Sequence, residues 1–170
     1  MNFKTLAFSL LALCCATPAP AQKAKPPEPS AIVRTLYAAE KAKKGPFFQT
    51  EDRARVDRFF TKALGNLIWK DAVESKGELG KLDFDPLYGS QDPQIKDFVI
   101  GDNGWGGDEK FGPDIEAVVQ VTFKDSGEAK MISFLFRSGG DQEWKIDDIR
   151  YRDLDGLLLK ALLSPAKGPK

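Results

Sequence analysis

Asp114 to Tyr151 reads DIEAVVQVTFKD, SGEAKMISFLFRS, GGDQEWKIDDIRY, and this stretch decides the fold. It divides into three runs rich in β-branched and aromatic residues, separated by Ser126-Gly127 and Gly139-Gly140-Asp141. Such runs bounded by glycine-containing turns are antiparallel strands. A two-residue loop at Ser126-Gly127 sets Val121 opposite Ile132, Val119 opposite Phe134 and Ala117 opposite Phe136. Directly opposed residues share a face, so this register builds one continuous apolar surface. One residue more in the loop would set Ser133 against Val121 and spoil it. At the second turn, a three-residue loop over Gly139–Asp141 would place Trp144 opposite Phe136 and Ile146 opposite Phe134. Beyond Ile146 the alternation breaks. Asp147 and Asp148 are adjacent, and Ile149 and Tyr151 are apolar on the other parity, the mark of a bulge or of the end of pairing.

Helices are expected on the apolar face. Ser30 can cap a first helix that runs to about Lys43, with Ile32, Val33, Leu36 and Tyr37 inward. Thr50 can cap a second, long helix in which Val56, Phe59, Phe60, Ala63, Leu64, Leu67 and Ile68 follow three-and-four spacing. Gly65-Asn66 could bend it, and it should end before Gly77. LDFDPLYGSQD is an acidic turn region, Lys96–Gly101 a short strand, and residues 102–113 a long loop carrying Trp105 among glycines. A last helix is expected from Asp153 or Asp155, with Leu154, Leu157, Leu158, Ala161 and Leu162 as its stripe. The fold class is therefore α+β, a curved antiparallel sheet packed on N-terminal helices with a short C-terminal helix.

The chain holds 170 residues, enough for one domain. Lys4, the apolar run Leu6–Ala16 and Ala19-Pro20-Ala21 read as a secretory signal cleaved after Ala21. Removing those 21 residues from 170 leaves 149. Lipidation at Cys14 or Cys15 is the weaker reading, since neither follows a small residue. The expected divisions are 1–21 signal peptide, 22–29 disordered Pro/Lys-rich spacer, 30–163 single domain and 164–170 disordered tail, in a periplasmic or secreted protein. No transmembrane segment is expected. Both cysteines lie in the signal and the chain has no histidine. Those absences exclude Ser-His-Asp and Cys-His nucleophiles, imidazole or thiolate zinc sites and histidine proton relays from the exported chain. With 25 Lys+Arg against 25 Asp+Glu, the charge balance implies no nucleic-acid partner. Neither acidic stretch fits an EF-hand, because Leu87 and Gly89 fall at the fifth and seventh positions counted from Asp83, and Pro113 at the twelfth from Asp102. No metal and no cofactor are expected.

Asp83-Phe84-Asp85-Pro86, Gln91-Asp92 and Trp144-Lys145-Ile146-Asp147-Asp148-Ile149, in an order of helices, acidic segment and sheet, resemble the nuclear transport factor 2-like (cystatin-like) superfamily. Within it the chain looks like a secreted bacterial family of unknown function, and the likeness covers roughly Ile32 to Leu163. The resemblance implies a sheet curved into a cone around the helices. It also implies that an enzyme of this kind would set an acid/base carboxylate beside a tyrosine in that cone, for which Asp85, Asp92, Asp148, Tyr37 and Tyr88 are the candidates. Strict alternation aims Asp148 at the apolar face near Ile132; a bulge, or pairing with Arg150 or Arg152, would turn it away. Three functions follow. The first is a non-catalytic module binding a small molecule, peptide or envelope protein through Trp105, Tyr88, Asp85 and Asp92. The second is an isomerase- or hydratase-like enzyme using Asp148 or Asp85 with Tyr88 or another tyrosine. The third is an inhibitor or immunity protein acting through the 102–113 loop.

Overall fold

A computed structural model describes residues 27–76, 78–105, 114–139 and 143–165, with the side chains of 102–105 left aside. The fold is α+β. Three helices, α1 (Pro29–Lys41), α2 (Arg53–Asp57) and α3 (Lys62–Ser75), precede the strands β1 (Ile95–Trp105), β2 (Ala117–Asp125), β3 (Glu128–Ser138), β4 (Trp144–Tyr151) and β5 (Leu157–Leu158), and α4 (Leu159–Leu163) follows. The strands form one antiparallel sheet in the order β1-β2-β3-β4-β5. The signal peptide, most of the spacer and most of the tail lie outside the described residues. None of the described helices is long and apolar enough to cross a membrane.

The first hairpin has the register that its side chains demand. Val121 pairs with Ile132, Val119 with Phe134, and Ala117 with Phe136. Ser126 (φ 51°) and Gly127 (φ 93°) both take positive φ, the conformation that a two-residue hairpin turn requires at both central positions. The second hairpin differs from expectation. Trp144 pairs with Ser138 and Ile146 with Phe136, two residues from the expected partners, because the connection spans 139–143. Its length is still odd, so the same side chains face the core. Between the Phe136/Ile146 and Leu135/Asp148 pairs, Asp147 is an extra residue in β4. This bulge returns Ile149 and Tyr151 to the face of Ile146, and it sets Asp148 opposite Leu135 rather than toward Ile132.

The main core lies between the inner face of the sheet and the helices. Val33, Leu36, Val56 and Leu64 from the helices meet Val119, Val121, Phe134, Phe136, Ile146 and Ile149, all fully buried. Trp144 is half-buried and packs against the same cluster. A small second cluster, Ile115, Val118 and Leu135, occupies the opposite face.

The helices depart from the expected spans for local reasons. Pro29 stands at the first turn of α1 and Glu28 is its N-cap, so Ser30 already lies inside the helix. The long second helix is broken in two. Asp52, not Thr50, caps α2 by accepting from the Ala54 amide at 2.9 Å. Thr61 caps α3 through the Leu64 amide. Between them the chain runs beside β4: Ile146 N–H donates to Phe59 O and Thr61 N–H to Ile146 O, both at 2.9 Å. Bonding the outer side of β4 outweighs helix continuity here, while the periodicity of Val56, Phe60 and Leu64 survives the break. α3 runs unbroken through Gly65 and Asn66. Gly65 lets α3 approach α2, since a Cβ there would stand 3.3 Å from Val56 Cγ1.

β1 runs to Trp105, four residues past the expected strand, so 102–105 belong to the sheet and not to a loop. The last helix is shorter than expected. Residues 152–156 form turns, and Leu159 and Leu163 carry the buried face while Leu154 and Leu158 stay exposed. Phe134→Ala should destabilise the protein by about 3–5 kcal/mol, the range for truncating a buried Phe, whereas Val99→Ala, on the exposed outer strand, should change stability by less than about 0.5 kcal/mol. Urea unfolding followed by tryptophan fluorescence measures both.

Candidate functional site

Tyr37, one turn before the end of α1, anchors the site. Its hydroxyl donates to Leu87 O at 2.6 Å, tying the helix to the acidic turn. That turn is built by Asp85. Its carboxylate Oδ1 accepts from Leu87 N–H at 2.8 Å, and its main-chain oxygen accepts from Tyr88 and Gly89 N–H. An aspartate accepting from its own backbone two residues on is a standard way to hold such a reversal. Gly89 (φ 65°) then lies against the Tyr151 ring, where a Cβ would stand 3.1 Å from a ring carbon.

This framework lines an open groove of about 500 Å3 with Tyr37, Ala38, Glu40, Lys41, Asp85, Tyr88 and Phe98. Tyr37 meets Tyr88 edge-on at 5.6 Å between centroids and Phe98 at 4.9 Å, with interplanar angles of 66° and 67°. A second groove of about 300 Å3 adjoins it and shares Glu40 and Asp85. There Phe48, at φ 53° and 61% exposed, and Leu79, 81% exposed, are left open to solvent.

The electrostatics set two carboxylates apart from the surface acids. Burial pushes Asp85 above the usual carboxylate range, against the opposing Leu87 N–H. Burial also raises Glu40, with the Phe47 N–H opposing and the charge of Asp85 adding to the rise. Among the described residues neither forms an ion pair with a lysine or arginine. Burial, with the neighbouring Tyr88 and Asp85, puts the Tyr37 hydroxyl well above its ordinary range, and Tyr88 is raised by burial and by Asp85 and Glu40. All four therefore carry more proton at a given pH than their exposed counterparts.

The sequence-selected residues divide clearly. Asp85, Tyr88 and Tyr37 come together in one groove. Asp92 is exposed and lines neither groove. Trp105 closes β1 opposite Ala117, but its side chain and residues 106–113 lie outside the described residues. Asp148 is buried and holds its own strand: Oδ1 accepts from Ile149 N–H at 2.8 Å and from Lys160 N–H, in the first turn of α4, at 3.0 Å. Burial raises its carboxyl against these two bonds. The bulge is what turns Asp148 from the apolar face, setting it opposite Leu135. Its neighbour Asp147 is pushed up by burial, but Lys160, Thr61 and Arg137 outweigh this and hold it below the usual range. Glu40 and Phe98 were not selected from sequence. Glu40 stands three residues after Tyr37, one helical turn on, and that spacing was the available signal.

No arrangement of three or more Asp or Glu among the described residues could hold a metal ion. No family model matches the chain, no curated protein matches it, and no solved structure matches it.

Raised carboxyl groups have a thermodynamic signature. The folded state binds protons at Asp85 and Glu40 more tightly than the unfolded chain, so their contribution falls as pH rises through their folded pKa values. Glu40→Gln/Asp85→Asn should therefore gain stability relative to wild type between about pH 4, the ordinary carboxylate range, and neutrality. Denaturant unfolding at a series of pH values measures the difference, and a difference independent of pH would contradict the assignment.

Proposed function

We propose that this chain is an exported, non-catalytic binding module of nuclear transport factor 2-like ancestry, and that its ligand seats in the groove of Tyr37, Glu40, Asp85, Tyr88 and Phe98. The observation that carries this reading is the filled interior beneath an open, aromatic-lined groove. Leu36, Leu64, Leu87, Phe134, Phe136 and Tyr151 occupy the space between helices and sheet, each almost wholly removed from solvent. The Tyr151 hydroxyl closes that space by donating to Pro86 O at 2.9 Å. An acid/base enzyme of the cone type needs room there for substrate beside its carboxylate. The most buried candidate base, Asp148, instead spends its Oδ1 on two backbone amides.

Support for the ancestry is the order of helices, acidic turn and antiparallel meander, together with a bulge in β4, the device by which sheets are commonly curved. Support for export is the sequence of residues 1–21 alone. An exported chain should begin at Gln22, which mass spectrometry of the periplasmic or culture fraction would show.

The enzyme reading keeps one observation in its favour: Asp85, with its carboxyl raised, lies in the same groove as two tyrosines. Proton nuclear magnetic resonance of the protein with a mixed fragment library separates the two. A binding module should show saturable shifts at Asp85, Tyr88 and Phe98 with every fragment recovered unchanged, and Tyr88→Ala should weaken the hits at least tenfold. Conversion of a carbonyl or alkene fragment, abolished in Asp85→Asn, would overturn the non-catalytic reading.

A further inference from the structure

The two carboxylates of the groove have hydrogen-bonding capacity that the fold does not use. Asp85 Oδ1 is taken by Leu87 N–H. Glu40 Oε1 meets only the Phe47 amide, at 3.4 Å, a long contact. Asp85 Oδ2 and Glu40 Oε2 make no hydrogen bond among the described residues. An ionised carboxylate is acceptor-only, with about four lone-pair sites, so these two lining side chains keep acceptor capacity beyond the bonds that the fold uses. Their mutual repulsion argues against a second anion there.

Three aromatic rings stand among the remaining lining residues. Tyr37, Tyr88 and Phe98 meet at steep angles, and a ring face attracts a cation through its quadrupole. Lys41 is the one basic residue of the lining; it follows Glu40 at the end of α1 and pairs with neither carboxylate. In the adjoining groove, Phe48 and Leu79 offer exposed apolar surface, and Asp83 adds a further negative charge. Acceptors without donors, ring faces and neighbouring apolar surface together suit one ligand chemistry, a protonated amine on an alkyl chain.

We propose that this groove holds an alkylammonium group, with Glu40 and Asp85 accepting from or facing its charge, Tyr37, Tyr88 and Phe98 packing around it, and Phe48 and Leu79 covering the attached chain. The inference rests on the groove being the ligand site, as argued above, and names what that site accepts. The ammonium could belong to a free amine or to a lysine side chain; the chemistry at the groove is the same.

The test is a titration of the whole exported chain, followed by amide chemical shifts, with butylammonium, the neutral isostere 1-butanol and the anion butyrate, and with Nα-acetyl-lysine methylamide as the lysine probe. Butylammonium should saturate shifts at Tyr37, Glu40, Asp85, Tyr88 and Phe98, at least tenfold more tightly than butanol, and butyrate should not bind. Glu40→Gln/Asp85→Asn, with its fold checked by thermal unfolding, should lose that tenfold preference. If the lysine probe binds more tightly than butylammonium, a lysine side chain is the source; if butylammonium binds more tightly, a free amine is. Equal binding of butanol and butylammonium in the groove would overturn the cation assignment and leave the binding-module reading standing. Ammonium-induced shifts scattered over surface acids would do the same. A groove silent to every probe, and to the fragment library, would remove both.

Discussion

The extra residue in β4 is the constraint on which the sheet depends. If β4 were paired regularly through Asp147, with no bulge, strict alternation would bury either Trp144 and Ile146 or Ile149 and Tyr151, never both pairs. The bulge shifts the phase by one residue midway, so both halves of the strand present their apolar side chains to the helices. The two acids displaced by this shift are then satisfied individually. Asp147 takes Lys160, Arg137 and the Thr61 hydroxyl, and Asp148 takes two backbone amides. Both therefore tie β4 to the C-terminal α4, and Asp147 also reaches the start of α3. Breaking a buried charge away from such partners costs far more than any exposed ion pair contributes.

Tyr151, released inward by the same bulge, links this strand to the groove. Its hydroxyl reaches Pro86, its ring meets Phe84 edge-on at 5.3 Å, and Gly89 fits against it. The acidic turn is thus clamped from below by Tyr151 and from the side by Tyr37. A rigid turn keeps Asp85 half-buried instead of letting it swing into water, and burial is what raises its carboxyl. Core packing and groove electrostatics are therefore one chain of contacts.

Much of the fold could be read from side-chain alternation. The Val119/Phe134 register, the turn at Ser126-Gly127 and the phase break after Ile146 all follow from which residues can share a face. The interrupted helix at Phe59–Thr61 could not be read so, because helical spacing is nearly preserved across the break and the deciding bonds come from Ile146, about 85 positions away. The span of β1 was hidden by Gly101 and Gly104, which resemble loop residues until β2 lies alongside: Gly104 pairs with Val118, and Gly101 sits close to the Gln120 carbonyl in an irregularity of the ladder. In the site, Asp85, Tyr88 and Tyr37 were legible as residue types that carry chemistry. Their gathering in one groove was not, since it depends on a long-range bond from Tyr37 to Leu87. For Asp148 the alternative of a bulge is the one that holds: its burial is real, but it is turned from the apolar face, and its Oδ1 serves Ile149 and the start of a helix that pattern alone placed elsewhere.

The bonds that Phe59 and Thr61 make to Ile146 have a consequence for self-association. They occupy main-chain groups of β4 that would otherwise offer a template to a stray strand, and β5 covers only two residues farther along. At the opposite border, β1 pairs with β2 through two irregularities, and Asp97 takes φ 52° within it. Neither border of the sheet is a long, flat row of unpaired amides, the feature that invites strand-by-strand polymerisation. Both borders are thus poor templates, even though the central strands are rich in the valine, isoleucine and phenylalanine that cross-β stacking favours.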